Sequence, residues 1–196
     1  MRPRPLAALL ALLLAACLPS PRVHPRAAEE VRSGYQHLAA GDVERAEVAF
    51  RHALEIAPDL PEAWNGAGVV AERRGHLSAA RERFARALSS RSDFAEGHVN
   101  LGVVALAQGE AREAERRFRA ALDIDPDLAV ARLDLARALL HRGRAEPEDR
   151  PALWAAARVA YLHLLETAPD HPEAWHDLAY MSFEDGRFDR SLEIVP

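Results

Sequence analysis

Three stretches of the chain, RAEVAFRHALEIAPDLPEAW, AARERFARALSSRSDFAEGH and EAERRFRAALDIDPDLAVAR, align with one another at a spacing of 34 residues. A period of this size restricts the fold more than any composition does. Each unit is too short to bury its own apolar side and must stack on its neighbours. With units at 27–60, 61–94 and 95–128, Gly34, Gly68 and Gly102 fall at position 8, and Gly41, Gly75 and Gly109 at position 15. Position 20 holds Ala46, Ala80 and Ala114, position 24 Phe50, Phe84 and Phe118, and position 27 Ala53, Ala87 and Ala121. Pro58, Ser92 and Pro126 share position 32, and Trp64 and Trp175, each within PEAW, share position 4. These columns predict a pair of antiparallel helices, A then B, in every unit. Small residues at 8, 20 and 27 let the helices approach, the aromatic at 24 fills the space between them, and glycine at 15 makes the turn. Proline at 32 ends helix B.

The column set resembles the tetratricopeptide (TPR) repeat. The resemblance covers residues 27–196 and implies an all-α solenoid of antiparallel helix pairs wound into a right-handed superhelix. A fourth unit, 129–171, has Leu135, Ala136 and Gly143 in register, but Ala157, Tyr161 and Pro169 arrive nine residues late. The insertion lies near 144–152, after the expected turn glycine, so it predicts a lengthened A/B loop over 144–150 with Pro151 opening a longer helix B. A fifth, partial unit, 172–196, carries Trp175, Leu178, Ala179 and Gly186. It stops within its second helix, which leaves Phe183, Phe188, Leu192 and Val195 without an evident cover.

Residues 6–16 are an uninterrupted apolar run behind Arg2 and Arg4, and the chain's single cysteine, Cys17, follows directly. Eleven apolar residues are fewer than the roughly 20 that span a bilayer, and read as the core of a signal peptide over 1–16. Leu14-Ala15-Ala16-Cys17 resembles the bacterial lipobox, which implies cleavage before Cys17 and lipid attachment to its sulfur. A buried or reactive thiol is the alternative, but a thiol closing an apolar export segment belongs to no core. Residues 17–26 hold Pro19, Pro21 and Pro25 and read as an extended tether spanning roughly 25–30 Å. Leu18 stands where an Asp would imply inner-membrane retention in enteric bacteria, so outer-membrane delivery facing the periplasm is expected. One cysteine also allows no disulfide framework.

All 25 basic residues are arginine, against 30 acids, for a net charge of −5 that becomes −7 once residues 1–16 are removed. Such a chain lacks the one-sided basic field that nucleic-acid binding needs. No nucleophile motif, phosphate loop or dinucleotide fingerprint is present, and no lysine is available for a Schiff base. His171 and His176 straddle a helix start instead of sharing one face, so no metal site is expected. The reading is therefore of a non-catalytic chain without cofactor.

In TPR proteins the concave wall is lined by helix A positions 2, 5, 9, 12 and 13. Carried over, these include Asn65, Val69 and Arg73 in the second unit, Val99, Val103 and Leu106 in the third, Leu133 and Arg137 in the fourth, and His176 and Tyr180 in the fifth. Val69, Val99, Val103, Leu106 and Leu133 would form an apolar stripe with acidic flanks. That stripe either receives a partner's amphipathic helix or extended apolar segment, or is in part ordinary packing between helices. A clamp for a C-terminal carboxylate, which uses lysines, is disfavoured. Among lipobox-bearing TPR proteins the build is similar to that of type IV pilus pilotins, which implies a protein-binding scaffold that assists secretin assembly. The alternatives are an adaptor for peptidoglycan or outer-membrane protein assembly machinery, and an accessory module of a larger enzyme or transport assembly.

Overall fold

The computed structural model describes residues 24–184; Cys17 and the tether up to residue 23, and Gly186, Phe188, Leu192 and Val195 at the other end, lie outside them. Pro25 and Arg26, expected as the end of the extended tether, instead open the first helix, where a proline at the first position leaves no helical hydrogen bond unmade. The described residues form nine helices and no strand: α1 (Pro25–Ala39), α2 (Val43–Ile56), α3 (Pro61–Arg73), α4 (Leu77–Ser90), α5 (Ala95–Ala107), α6 (Ala111–Ile124), α7 (Ala129–Ala145), α8 (Arg150–Thr167) and α9 (Pro172–Glu184). Among them no helix is long and apolar enough to cross a membrane. Short connections force sequential helices into antiparallel hairpins, α1/α2, α3/α4, α5/α6 and α7/α8, which stack in order with α9 at the end.

The position-24 aromatics Phe50, Phe84 and Phe118, with Tyr161 in the fourth hairpin, are completely buried, as are the alanines at positions 20 and 27 of the first three units. Glycine at position 8 is a matter of space. A Cβ on Gly34, Gly68 or Gly102 would stand 2.6, 2.4 and 2.5 Å from the ring of Phe50, Phe84 and Phe118 respectively. Phe50 also wedges into the next hairpin, where a Cβ on Gly66 would meet its ring at 2.1 Å.

The turns of the first three hairpins are copies of one another. Gly41, Gly75 and Gly109 have φ of +78°, +78° and +77°, a left-handed conformation that only glycine adopts without strain. In each, the amide two residues past the cap reaches back to a carbonyl of the last turn: Asp42 to His37 at 2.9 Å, His76 to Ala71 at 2.9 Å and Glu110 to Ala105 at 2.8 Å. This is the Schellman arrangement, which satisfies helix-end carbonyls.

The fourth hairpin departs from this pattern and corrects two expectations. Gly143 is not its turn: it lies inside α7, which continues to Ala145. The connection is only 146–149, so the inserted residues mainly lengthen the two helices, to 17 and 18 residues where α5 and α6 have 13 and 14. The helix ends at Glu146 because Pro147 follows, and a residue before proline is pushed out of the helical region; Glu146 has φ −121° and ψ 78°. Gly143 instead provides a surface for Trp154, whose indole would stand 2.4 Å from a Cβ there. Trp154, 4% exposed, belongs to the core cluster of Leu133, Leu139, Leu153 and Tyr161. Outside this core, Arg142 donates to Glu115 and, at 2.6 Å, to Glu146, which also accepts from Arg112 Nε at 2.9 Å. Those two guanidinium donors hold the Glu146 carboxyl down to about 2.

The links between hairpins share a further device. Trp64 Nε1 donates to the Pro58 carbonyl at 2.7 Å and Trp175 Nε1 to that of Pro169 at 2.6 Å. His98 Nε2 lies 3.1 Å from the Ser92 carbonyl, and Arg132 Nη2 donates to that of Pro126. All four occupy position 4, and all reach the carbonyl six residues earlier. The link at Ser92 has no proline, yet Arg91 leaves helix α4 at φ −146° and ψ 100°, close to the values of Asp125 before Pro126.

Candidate binding wall

The first helices of successive hairpins touch one another, α1 with α3, α3 with α5 and α5 with α7, while the second helices make no comparable contact. An array whose elements converge on one side is concave on that side, so α1, α3, α5, α7 and α9 line the inner wall.

The structure divides the expected wall residues. Asn65, Val99 and Leu133 are 4–6% exposed and are corrected from open wall to packed interior. Position 5 packs into the hairpin's own interior in the third and fourth units: Val99 on α5 joins the cluster around Phe118 of α6, and Leu133 on α7 the cluster around Trp154 and Tyr161 of α8. Val69, Val103 and Leu106 are half-buried, with one side against the core clusters. Arg73 and His176 are exposed, and Arg137 and Tyr180 are half-buried. Arg73 has a structural job that the sequence did not suggest, since its Nη1 donates to the Leu38 carbonyl at 2.6 Å in the last turn of α1. The Tyr180 ring is covered by the Arg144 guanidinium at 4.5 Å, a cation–π contact.

Between these residues runs a polar row that sequence reasoning missed. Asn100 Nδ2 donates to Asn65 Oδ1 at 2.8 Å, Asn65 Nδ2 to Tyr35 Oη at 3.0 Å, and Tyr35 Oη to the Glu62 carbonyl at 3.3 Å. The chain ties α5, α3 and α1 together and satisfies the buried Asn65 amide. Burial pushes the Tyr35 phenol up, although the Asn65 bond opposes it. Farther along, Asp134, Glu173 and Asp177 surround Arg137, at 3.8, 3.4 and 3.3 Å from its guanidinium nitrogens. Tyr161 Oη donates to Asp177 at 2.9 Å, and burial together with that carboxylate raises its pKa strongly. Burial also raises Asp134, against the pull of Arg137. The signal for this row is position 6, where Asn100, Asp134 and Asp177 recur in three successive units. The chemistry of such a wall is recognition: aliphatic surface, amide donors and acceptors, and a carboxylate cluster.

Comparison with known proteins places this geometry in a family. The family model described as tetratricopeptide repeat matches residues 37–98 and 105–147. No curated protein sequence matches the chain. The fold is similar to that of pilF from Pseudomonas aeruginosa, with a TM-score of 0.75 and 22% identity over 86% of this chain and 73% of that one. It is also similar to YrrB, described as a TPR protein with an unusual peptide-binding site, with a TM-score of 0.63 and 19% identity over 84% and 80% of the two chains. A third likeness is to the O-GlcNAc transferase of Thermobaculum terrenum, with a TM-score of 0.65 and 25% identity over 76% of this chain but 27% of that one. At such identities the likenesses to pilF and YrrB establish a shared fold. The family model spans over half of the chain, and the glycine, alanine and aromatic columns pack as that repeat requires. The chain belongs to the tetratricopeptide-repeat family.

Proposed function

We propose that this protein is a non-catalytic binding scaffold, lipid-anchored through Cys17 to the outer membrane on its periplasmic side, whose inner wall holds an apolar segment of a protein partner. The observation that carries the binding part is the half-buried aliphatic row Val69, Val103 and Leu106 on the inner side of the array. Aliphatic side chains left partly exposed on a rigid concave face gain most from a partner that completes their burial. The likeness to YrrB, described with a peptide-binding site, supports the same use of the fold.

The anchor rests on the sequence Leu14-Ala15-Ala16-Cys17 behind a short apolar run. Assistance to an envelope complex such as a type IV pilus secretin is the reading supported by that anchor together with the likeness to pilF. Cys17→Ser should move the protein from the membrane to the soluble fraction and abolish lipid mass on the mature N-terminus; membrane retention without such mass in the wild type overturns the anchor. Val103→Glu should keep the helical circular dichroism signal and lose partner capture by at least about tenfold, the cost of placing a charge where a side chain must be desolvated. A folded Val103→Glu protein with full capture removes the inner wall from the reading.

One observation favours a second reading. The chain corresponds to 27% of the O-GlcNAc transferase chain, so an array of this kind also occurs as one part of a larger enzyme. Co-purification of a catalytic subunit whose activity depends on the array supports this accessory role.

A further inference from the structure

The aliphatic row of the inner wall does not stand in neutral surroundings. At the α7/α9 end three carboxylates, Asp134, Glu173 and Asp177, share one guanidinium, that of Arg137, and the exposed His176 ring places Nδ1 3.3 Å from Asp177. Farther along the wall Arg73 donates to the Leu38 carbonyl and is paired with no carboxylate among the described residues, and exposed Glu96 on α5 likewise makes no ion pair among them. The Asp134 side chain is only 15% exposed, and among the described residues it receives no hydrogen bond and has one cation, Arg137, at 3.8 Å. A carboxylate can accept about four hydrogen bonds, so most of the acceptor capacity of this group is open to an incoming donor. The three carboxylates and Arg137 together sum to two negative charges, with unused acceptor capacity at Asp134, one helix away from Val103 and Leu106.

We propose that the inner wall selects a cationic apolar segment of a protein, with aliphatic side chains over Val69, Val103 and Leu106 and a Lys or Arg delivered to the Asp134, Glu173 and Asp177 carboxylates. This rests on the inner-wall reading above and adds the chemistry of the occupant. An incoming ammonium or guanidinium supplies the donors that Asp134 lacks, while Arg137 remains bound to Asp177. Neighbouring helix axes lie about 8–10 Å apart, so in an extended segment the cation falls about three residues from the aliphatic side chain over Val103. An acidic or carboxylate-terminated segment meets the opposite field and is excluded.

The test uses the full chain as bait for displayed random peptides of about a dozen residues. Enriched sequences should pair Leu, Ile, Val or Phe with Lys or Arg at this spacing, and the basic component should elute first as salt rises to about 0.5 M. The Asp134→Asn/Glu173→Gln protein should bind the enriched basic peptides about tenfold more weakly and their Lys→Gln versions equally well. The Val103→Glu protein should lose both. Enrichment of apolar peptides without basic residues, still dependent on Val103, overturns the cationic occupant and leaves the wall standing. Enrichment indifferent to Val103→Glu overturns the wall as well, and acidic enrichment overturns the proposal outright. The salt elution is read on the wild-type chain, so it decides even if the double variant does not fold.

Discussion

The α3/α4 hairpin and the α7/α8 hairpin contain the same landmarks in the same order, yet use one of them differently. In the former, Gly75 is the turn, with φ +78° and nothing within 4 Å of where a Cβ would be. In the latter, Gly143 is helical, and the same missing Cβ makes room for Trp154. Gly75 is required by backbone conformation and Gly143 by volume. A repeat column therefore specifies a residue type without fixing what that residue does. Lengthening the helices carried the glycine out of the turn and into the core.

Four substitutions probe that contrast. Trp154→Ala should cost about 3–5 kcal/mol in urea unfolding, because it empties a site in a buried cluster; a loss below about 1 kcal/mol would mean that the fourth hairpin is closed by a loop after all. Gly143→Ala should cost about 1–3 kcal/mol by overpacking, and Trp154→Leu in the same chain should recover part of it. Strict additivity of the two would show that they do not touch. Gly75→Ala should cost about 1–2 kcal/mol through left-handed backbone strain alone, with no second-site rescue by trimming a neighbour.

The smallest effect lies at the Glu146 carboxylate, whose folded pKa of about 2 stands below the ordinary 4.5. A depressed pKa contributes stability above about 4.5 that is lost as pH falls towards 2. Glu146→Gln should therefore be less stable than wild type at neutral pH, with the two curves converging in acid. Parallel curves down to pH 2 would detach Glu146 from Arg112 and Arg142.

The first three hairpins were legible because each column there has a single role, and the closest approaches are made by residues of extreme size, glycine against phenylalanine. The fourth was not, because its helix end is decided by Pro147 acting on Glu146, a local effect that a register of columns overlooks. On the wall, Val69 and Val103 at position 9 stay half-buried, whereas Asn65, Val99 and Leu133 at position 5 are packed interior. Asn65 is held between Tyr35 and Asn100, and Val99 and Leu133 pack against the second helix of their own hairpins, whereas the carried-over positions mark a side of the helix without saying how deeply it is covered. The position-6 carboxylates escaped notice because each looks like an ordinary solvated acid until Arg137 and Tyr161 are seen to converge on them.

The donors at position 4 have a mechanical consequence. Trp64, His98, Arg132 and Trp175 each staple the covalent passage between hairpins to itself over six residues. A passage closed that tightly is a poor swivel, so torque applied to one hairpin is handed to the next instead of being dissipated in the connector. The array then behaves as a spring whose compliance resides in the packing between helices, and the same six-residue closure is made by an indole, an imidazole or a guanidinium. A partner lying along the inner wall would therefore meet a ruler with fixed gradations, able to measure the spacing of that partner's side chains as well as their chemistry.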